Sequence, residues 1–208
     1  SVLPELSATE ILAAIDRGTY EGGASGRHWV LDPIDGTKGF LRGDQYAIAL
    51  ALVEGGVVTH GVLGCPNLDY NAAHKGCIFY AALGCGATAV ALDAELSMNI
   101  SVQQVDSLAE ASICESVEKA HTSHSHSFQI AERLGITAEP YRIDSQCKYA
   151  AVARGDAAIY LRLPTKPGYV ERVWDHAAGL RVIEAAGGTV TDVYGEPLDF
   201  SLGRGLER

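Results

Sequence analysis

The apolar positions of this chain fall into two regimes. From residue 29 to residue 92 they come in short, nearly continuous runs: Trp29-Val30-Leu31, Tyr46 to Val53, Val57 to Leu63, Ile78 to Ala82 and Ala87 to Leu92. Runs of that length between glycine- or proline-bearing breaks predict strands. Glu54-Gly55-Gly56 predicts a hairpin at the centre of a sheet, and the weak polar alternation predicts helices on both sheet faces. Ahead of the strands, Ser7 and Glu10 form a capping box for a helix through Arg17, with Gly18 as its stop. Near Val105-Asp106-Ser107 the pattern resets into alternating strand and helix. It predicts strands at Ser112–Glu115, Tyr141–Ile143, Ala157–Leu163 and Thr189–Val193. Helices are predicted near Phe128–Leu134, stopped by Gly135, and at Gln146–Arg154, stopped by Gly155. A further helix carries Leu180, Ile183 and Ala186 and closes at Gly187-Gly188. The chain therefore divides into an α+β half, residues 1–105, and an α/β half, residues 106–208.

The chemistry is densest where the first apolar run ends, at Asp32-Pro33-Ile34-Asp35-Gly36-Thr37. Pro33 lacks a ladder donor, which predicts that strand pairing stops there. Gly36 permits a tight bend and leaves its amide and that of Thr37 at the start of a helical turn, where an anion is favoured. Asp32 and Asp35 held together by that bend repel one another unless a cation lies between them, and hard oxygen ligands suit Mg²⁺. The same residues also fit an ordinary Asp-Pro surface turn. In Val173-Trp174-Asp175-His176, Asp175 opens the helix of Leu180 and Ile183, where a carboxylate can cap the first turn or face a metal. Three carboxylates can hold a pair of Mg²⁺ ions, which two-metal hydrolases place about 3.5–4 Å apart.

WVLDPIDGTKGFLRGD at 29–44, VWDHAAG at 173–179 and EAAGG at 184–188 resemble the lithium-sensitive, magnesium-dependent phosphatase superfamily of inositol monophosphatases, fructose bisphosphatases and bisphosphate nucleotidases. CESVEKAH at 114–121, IDSQCKYA at 143–150 and AIYLRLP at 158–164 resemble its 3'(2'),5'-bisphosphate nucleotidase branch. The resemblance implies a layered αβαβα sandwich with the metal site at the junction of the halves. It implies a phosphatase that removes the 3'-phosphate of adenosine 3',5'-bisphosphate (PAP), giving AMP, and that also accepts PAPS in sulfur metabolism. Inositol phosphates are the rival substrates, and a non-catalytic nucleotide-binding protein is the rival class. It assigns Asp32, Asp35, Asp175 and the Ile34 carbonyl to two or three Mg²⁺ ions, with inhibition by Li⁺. Gly36 and Thr37 are assigned to the phosphate being cleaved, and His121, Ser145, Lys148 and Arg162 to the nucleotide. Relatives of this type carry a water-activating acidic residue and a metal-ligating glutamate upstream of the DPIDGT string. Glu5, Glu10, Asp16 and Glu21 match neither pattern, so a copy truncated at the N-terminus is expected.

The residues agree with those roles. Ser145 and Lys148 lie one helical turn apart and can face one pocket; Arg162 in a strand needs a partner if it faces inward. His121, His124 and His126 have no second ligand pair, so a solvated loop presenting His121 is expected rather than a zinc site. A net charge of -10 argues against nucleic acid or anionic membrane as partners. A nucleotide-binding site on such a chain must gather positive charge locally, from metal, Lys148 and Arg162. The cysteines, five in number, contain no C-x-x-C pair, which points to a reducing compartment. With no basic, apolar leader and no run long enough to span a bilayer, a cytoplasmic monomer is expected; an organellar copy that had lost a transit peptide would read the same.

Overall fold

The structure is a computed structural model and describes residues 6–117, 124–163 and 168–206. The first element, α1 (Ala8–Asp16), opens as predicted. Ser7 Oγ accepts from the Glu10 amide, and the Glu10 carboxylate accepts from the Ser7 amide at 2.8 Å. Its predicted stop is displaced: the chain tightens into a 3-10 turn at Arg17–Thr19 that contains Gly18.

β1 (Arg27–Asp35), β2 (Ala47–Glu54), β3 (Val57–Asn71), β4 (His74–Ala82), β5 (Ala87–Ala91) and β6 (Ser97–Ile100) pair in that order as one antiparallel sheet. The hairpin closes through Gly55-Gly56, with Glu54 opposite Val57. β6 was not predicted, because Ser97 and Asn99 interrupt its apolar pattern. Pairing also continues past Pro33. The ladder shifts register between Asp32, opposite Ala49, and Asp35, opposite Ala47, so the missing proline donor is absorbed by a bulge.

The two sheet faces differ. Ala47, Ala49, Ala51, Val53, Leu63 and Phe79 point inward and are buried, each large side chain among them contributing about 1.5–3 kcal/mol. The inward face packs against α4 (Cys147–Arg154) and α5 (Ala177–Ala185), whose own buried residues join the same core. Trp29, Leu31, Ile48 and Tyr80 point the other way and are exposed. The expectation of helices on both faces is therefore not met among the described residues. A continuous apolar run shows that both faces are apolar, but not what lies against each.

Beyond the helices, β7 (Ile113–Glu115) pairs in parallel with β8 (Tyr141–Arg142) on one side and β9 (Ile159–Tyr160) on the other. Ala131 of α3 (His124–Leu134, with α2 described below) packs on that small sheet with Ala111, Ile113 and Ile136. The described layers run sheet, helix, sheet, helix. Two predicted strands shrink or vanish. Only Ile159 and Tyr160 of 157–163 find a partner, and 189–193 runs unpaired into a turn in which Asp192 accepts from the Tyr194 and Glu196 amides. β propensity without a neighbouring strand leaves an extended segment, not a ladder.

Candidate active site

The acidic loop is built by three elements meeting. β1 delivers Asp32 and Asp35, and α2 (Thr37–Arg42) starts immediately after Gly36, which is left-handed at φ 82°. The third element is the start of α4. Ser145 there also adopts a left-handed conformation, φ 64°, which turns the Gln146 amide onto Asp35 Oδ2 at 2.5 Å. Gln146 Nε2 donates to the Trp174 carbonyl at 3.0 Å, so one buried residue ties the Asp35 loop to the turn bearing Asp175. That turn is a 3-10 turn, Val173–Asp175, and α5 is capped by His176 without a side-chain bond. Asp175 is thus not the helix cap that its position in the sequence also allowed; its carboxylate faces Asp32 and Asp35.

Carboxylate oxygens of Asp32, Asp35 and Asp175 lie within 4.8 Å of one another. Burial, reinforced by the charges of Asp35 and Asp175, pushes the Asp32 carboxyl up to about 6. Burial also pushes Asp175 above its usual range, against the pull of Arg162, whose Nη2 lies 3.2 Å from Asp175 Oδ2. Three half-buried carboxylates facing each other are an unbalanced negative charge that one arginine at the edge offsets only in part. An all-oxygen set of this kind fits a hard divalent cation, and these residues could hold a metal ion. The Ile34 carbonyl accepts from Thr37 Oγ1 at 3.3 Å, so loop and helix start are joined across Gly36.

A cavity of about 420 Å³ opens over the cluster, and Gly36, Thr37, Ser145, Lys148 and Arg162 all line it. Lys148 is buried; its Nζ donates to the Ser145 carbonyl at 2.8 Å and lies 5.3 Å from the centre of the Tyr160 ring. Arg162 is not a solvated charge: Glu171 grips it through Nε at 3.0 Å and Nη2 at 2.8 Å. The structure thus brings together every predicted site residue except His121, which lies outside the described residues. It adds several that the sequence did not single out. Asp144, buried beside Ser145, accepts from Arg42 at 2.8 Å, Ser116 at 3.1 Å and the Val117 amide at 3.2 Å. Tyr160 and Tyr169 join the cavity wall. An acidic residue directly after the apolar Ile143 was a usable signal for Asp144, while nothing in the pattern around Glu171 marks it.

The sequence profile described as the inositol monophosphatase family matches residues 5–208. A 3'(2'),5'-bisphosphate nucleotidase of Oryza sativa is 56% identical over 207 residues, covering 95% of this chain and 58% of its own length. The enzyme of that name from Schizosaccharomyces pombe is 48% identical over 208 residues, covering 97% of this chain and 59% of its own. The chain therefore spans rather more than half the length of these curated relatives. Among solved structures, Mycobacterium tuberculosis SuhB superposes with a TM-score of 0.64 at 26% identity, covering 90% of this chain and 72% of its own. Inositol monophosphatase II of Staphylococcus aureus superposes with a TM-score of 0.63 at 21% identity, covering 88% and 62%, a likeness of fold. No helix among the described residues is long and apolar enough to cross a membrane.

Proposed function

The chain belongs to the inositol monophosphatase family, and we propose that its site is that of a Mg²⁺-dependent 3'(2'),5'-bisphosphate nucleotidase, hydrolysing the 3'-phosphate of PAP to give AMP and phosphate. The observation that carries this reading is one cavity lined both by Asp32, Asp35 and Asp175 and by two cations, Lys148 and Arg162, the latter 3.2 Å from Asp175. A single phosphate on a polyol needs the first group only; a nucleotide with two phosphates uses both. The identities of 48% and 56% to proteins of that name support the same substrate class.

Asp32, Asp35 and Asp175, with the Ile34 carbonyl, would hold the metal. Mg²⁺ bound there supplies Lewis-acid polarisation of the phosphoryl oxygens and an acidified water. The protein's own groups do the rest. Thr37 and the chain reversal at Gly36 present a hydroxyl and backbone amides to the phosphate being cleaved. Arg162, as a planar fork, and Lys148, as a point charge, take the phosphate that stays. Ser145, beside Gly36, keeps those two regions in register. PAPS has the same 3'-phosphate and is a second substrate of this reading, and Li⁺ is its expected inhibitor.

The test is phosphate release from PAP and from inositol 1-phosphate at millimolar-scale Mg²⁺, with and without Li⁺, using this chain beside one extended upstream. Release from the nucleotide alone supports the reading. Release from inositol 1-phosphate alone overturns the substrate class, and binding of PAP by both proteins without turnover makes the site a nucleotide-binding one.

A further inference from the structure

Behind the cavity wall lies a line of hydrogen-bonded side chains to which the proposed chemistry assigns no part. Tyr149 Oη lies 2.6 Å from His176 Nδ1, and His176 Nε2 lies 3.1 Å from Glu171 Oε2. Glu171 holds Arg162 by two bonds, and Arg162 reaches Asp175. Arg162 lines both the cavity over the aspartates and a second cavity of about 590 Å³; Tyr149, Glu171 and His176 line only the second. The line therefore runs inward from the proposed site through a residue that touches it to three that do not.

With a neutral imidazole at His176, the donors and acceptors along it have one order. Burial keeps the Tyr149 phenol protonated far above its usual range, so its O–H donates to His176 Nδ1. The ring proton then sits on Nε2 and is donated to Glu171. Burial alone would raise the Glu171 carboxyl, but the His176 bond and the Arg162 charge together hold it below its usual range, as a carboxylate. An ionised, two-oxygen acceptor whose own position is fixed is what a guanidinium needs to be held by one edge. Without it, the carboxylate already within reach of Arg162 is Asp175, at 3.2 Å, and an arginine drawn over the aspartates would leave the phosphate.

We propose that Glu171, itself held by His176 and Tyr149, is the positioning residue for Arg162. It fixes the edge of the guanidinium formed by Nε and Nη2, so that the remaining N–H groups meet the phosphate of a bisphosphorylated nucleotide that is not cleaved. This rests on the reading of Arg162 as a phosphate ligand given above.

The experiment is a double-mutant cycle on binding. Calorimetry with Ca²⁺ in place of Mg²⁺ measures the affinity of this chain for PAP and for adenosine 3'-monophosphate, and the ratio of the two reports the grip on the 5'-phosphate. Expected is a ratio about ten-fold smaller in E171Q, with binding of adenosine 3'-monophosphate unchanged, a similar or larger loss in R162Q, and no further loss in R162Q/E171Q. A ratio retained in R162Q, or no binding of PAP by the unaltered chain, overturns the reading on which the inference rests. A ratio lost in R162Q but kept in E171Q overturns the inference alone, as does an E171Q loss that is equal for both ligands or persists without Arg162. Y149F acts two bonds further back, through His176, and carries the test if E171Q does not fold. A fall of about three-fold in its ratio is expected, and an unchanged ratio refutes the relay.

Discussion

Gly36→Ala tests whether the contact between the acidic loop and the start of α4 builds the site. Gly36 and Gly43 flank α2, and both are left-handed, at φ 82° and 75°. An alanine pays about 1–2 kcal/mol for that conformation at either position. The two differ in space: a Cβ on Gly43 meets nothing within 4 Å, whereas one on Gly36 would stand 2.7 Å from Ser145 Cβ. That neighbour is close to the backbone and cannot swing away, so the strands of contact on either side must part by about an ångström, at about 1–3 kcal/mol for overpacking. Gly43→Ala should thus cost about 1–2 kcal/mol and Gly36→Ala about 2–5 kcal/mol in urea unfolding, with equal m-values. The parting also draws Asp35 from the Gln146 amide. Mg²⁺ stabilisation, about 2.7 kcal/mol at a hundred-fold excess over Kd, should be kept in Gly43→Ala and reduced by about 1.4 kcal/mol in Gly36→Ala for each ten-fold loss of affinity. Equal losses in the two variants, with Mg²⁺ stabilisation equal, would refute the steric argument.

Three other outcomes follow from the site. Asp35→Asn keeps an acceptor for Gln146 but removes a charge from the cluster, so the Mg²⁺-induced rise in Tm should disappear; a rise of the original size would defeat the ligand assignment. The Asp32 carboxyl, held at about 6 against an ordinary 3.8, binds more protons folded than unfolded between those values. In EDTA, stability should therefore fall as pH rises from 4 to about 6 and level off above. The full shift would be worth about 3 kcal/mol, reduced to about 1–2 by solvent screening, and the slope should be absent from Asp32→Asn. Asp144→Ala strips a buried carboxylate from Arg42, Ser116 and the Val117 amide and should cost about 2–3 kcal/mol in urea unfolding; a loss under 0.5 kcal/mol would show those bonds to be replaced by water.

What neighbours along the chain can settle was legible. Ser7 and Glu10 cap α1, Gly135 and Gly155 end α3 and α4 in left-handed conformations, and Glu54-Gly55-Gly56 turns the hairpin, because each depends on backbone geometry within a few residues. The DPIDGT and WDHAAG strings marked the acidic cluster, since three carboxylates of that kind are hard to explain without a cation. The sequence could not say how far a strand extends. Pro33 became a bulge inside β1, and residues 189–193 found no partner, because a ladder is decided by the neighbouring strand. Nor could it say what covers an apolar face, as the exposed Trp29 and Leu31 show. The second layer of the site was least legible. Gln146 joins Asp35 to Trp174 only once α4 and α5 have packed on the inner face of the sheet and set distant segments within 3 Å, and Glu171 holds Arg162 from nine residues further along the chain, a spacing that no regular element dictates. Local pattern determines the elements and the reactive side chains; long-range packing decides which of those side chains meet, and through which unremarked residues they are held.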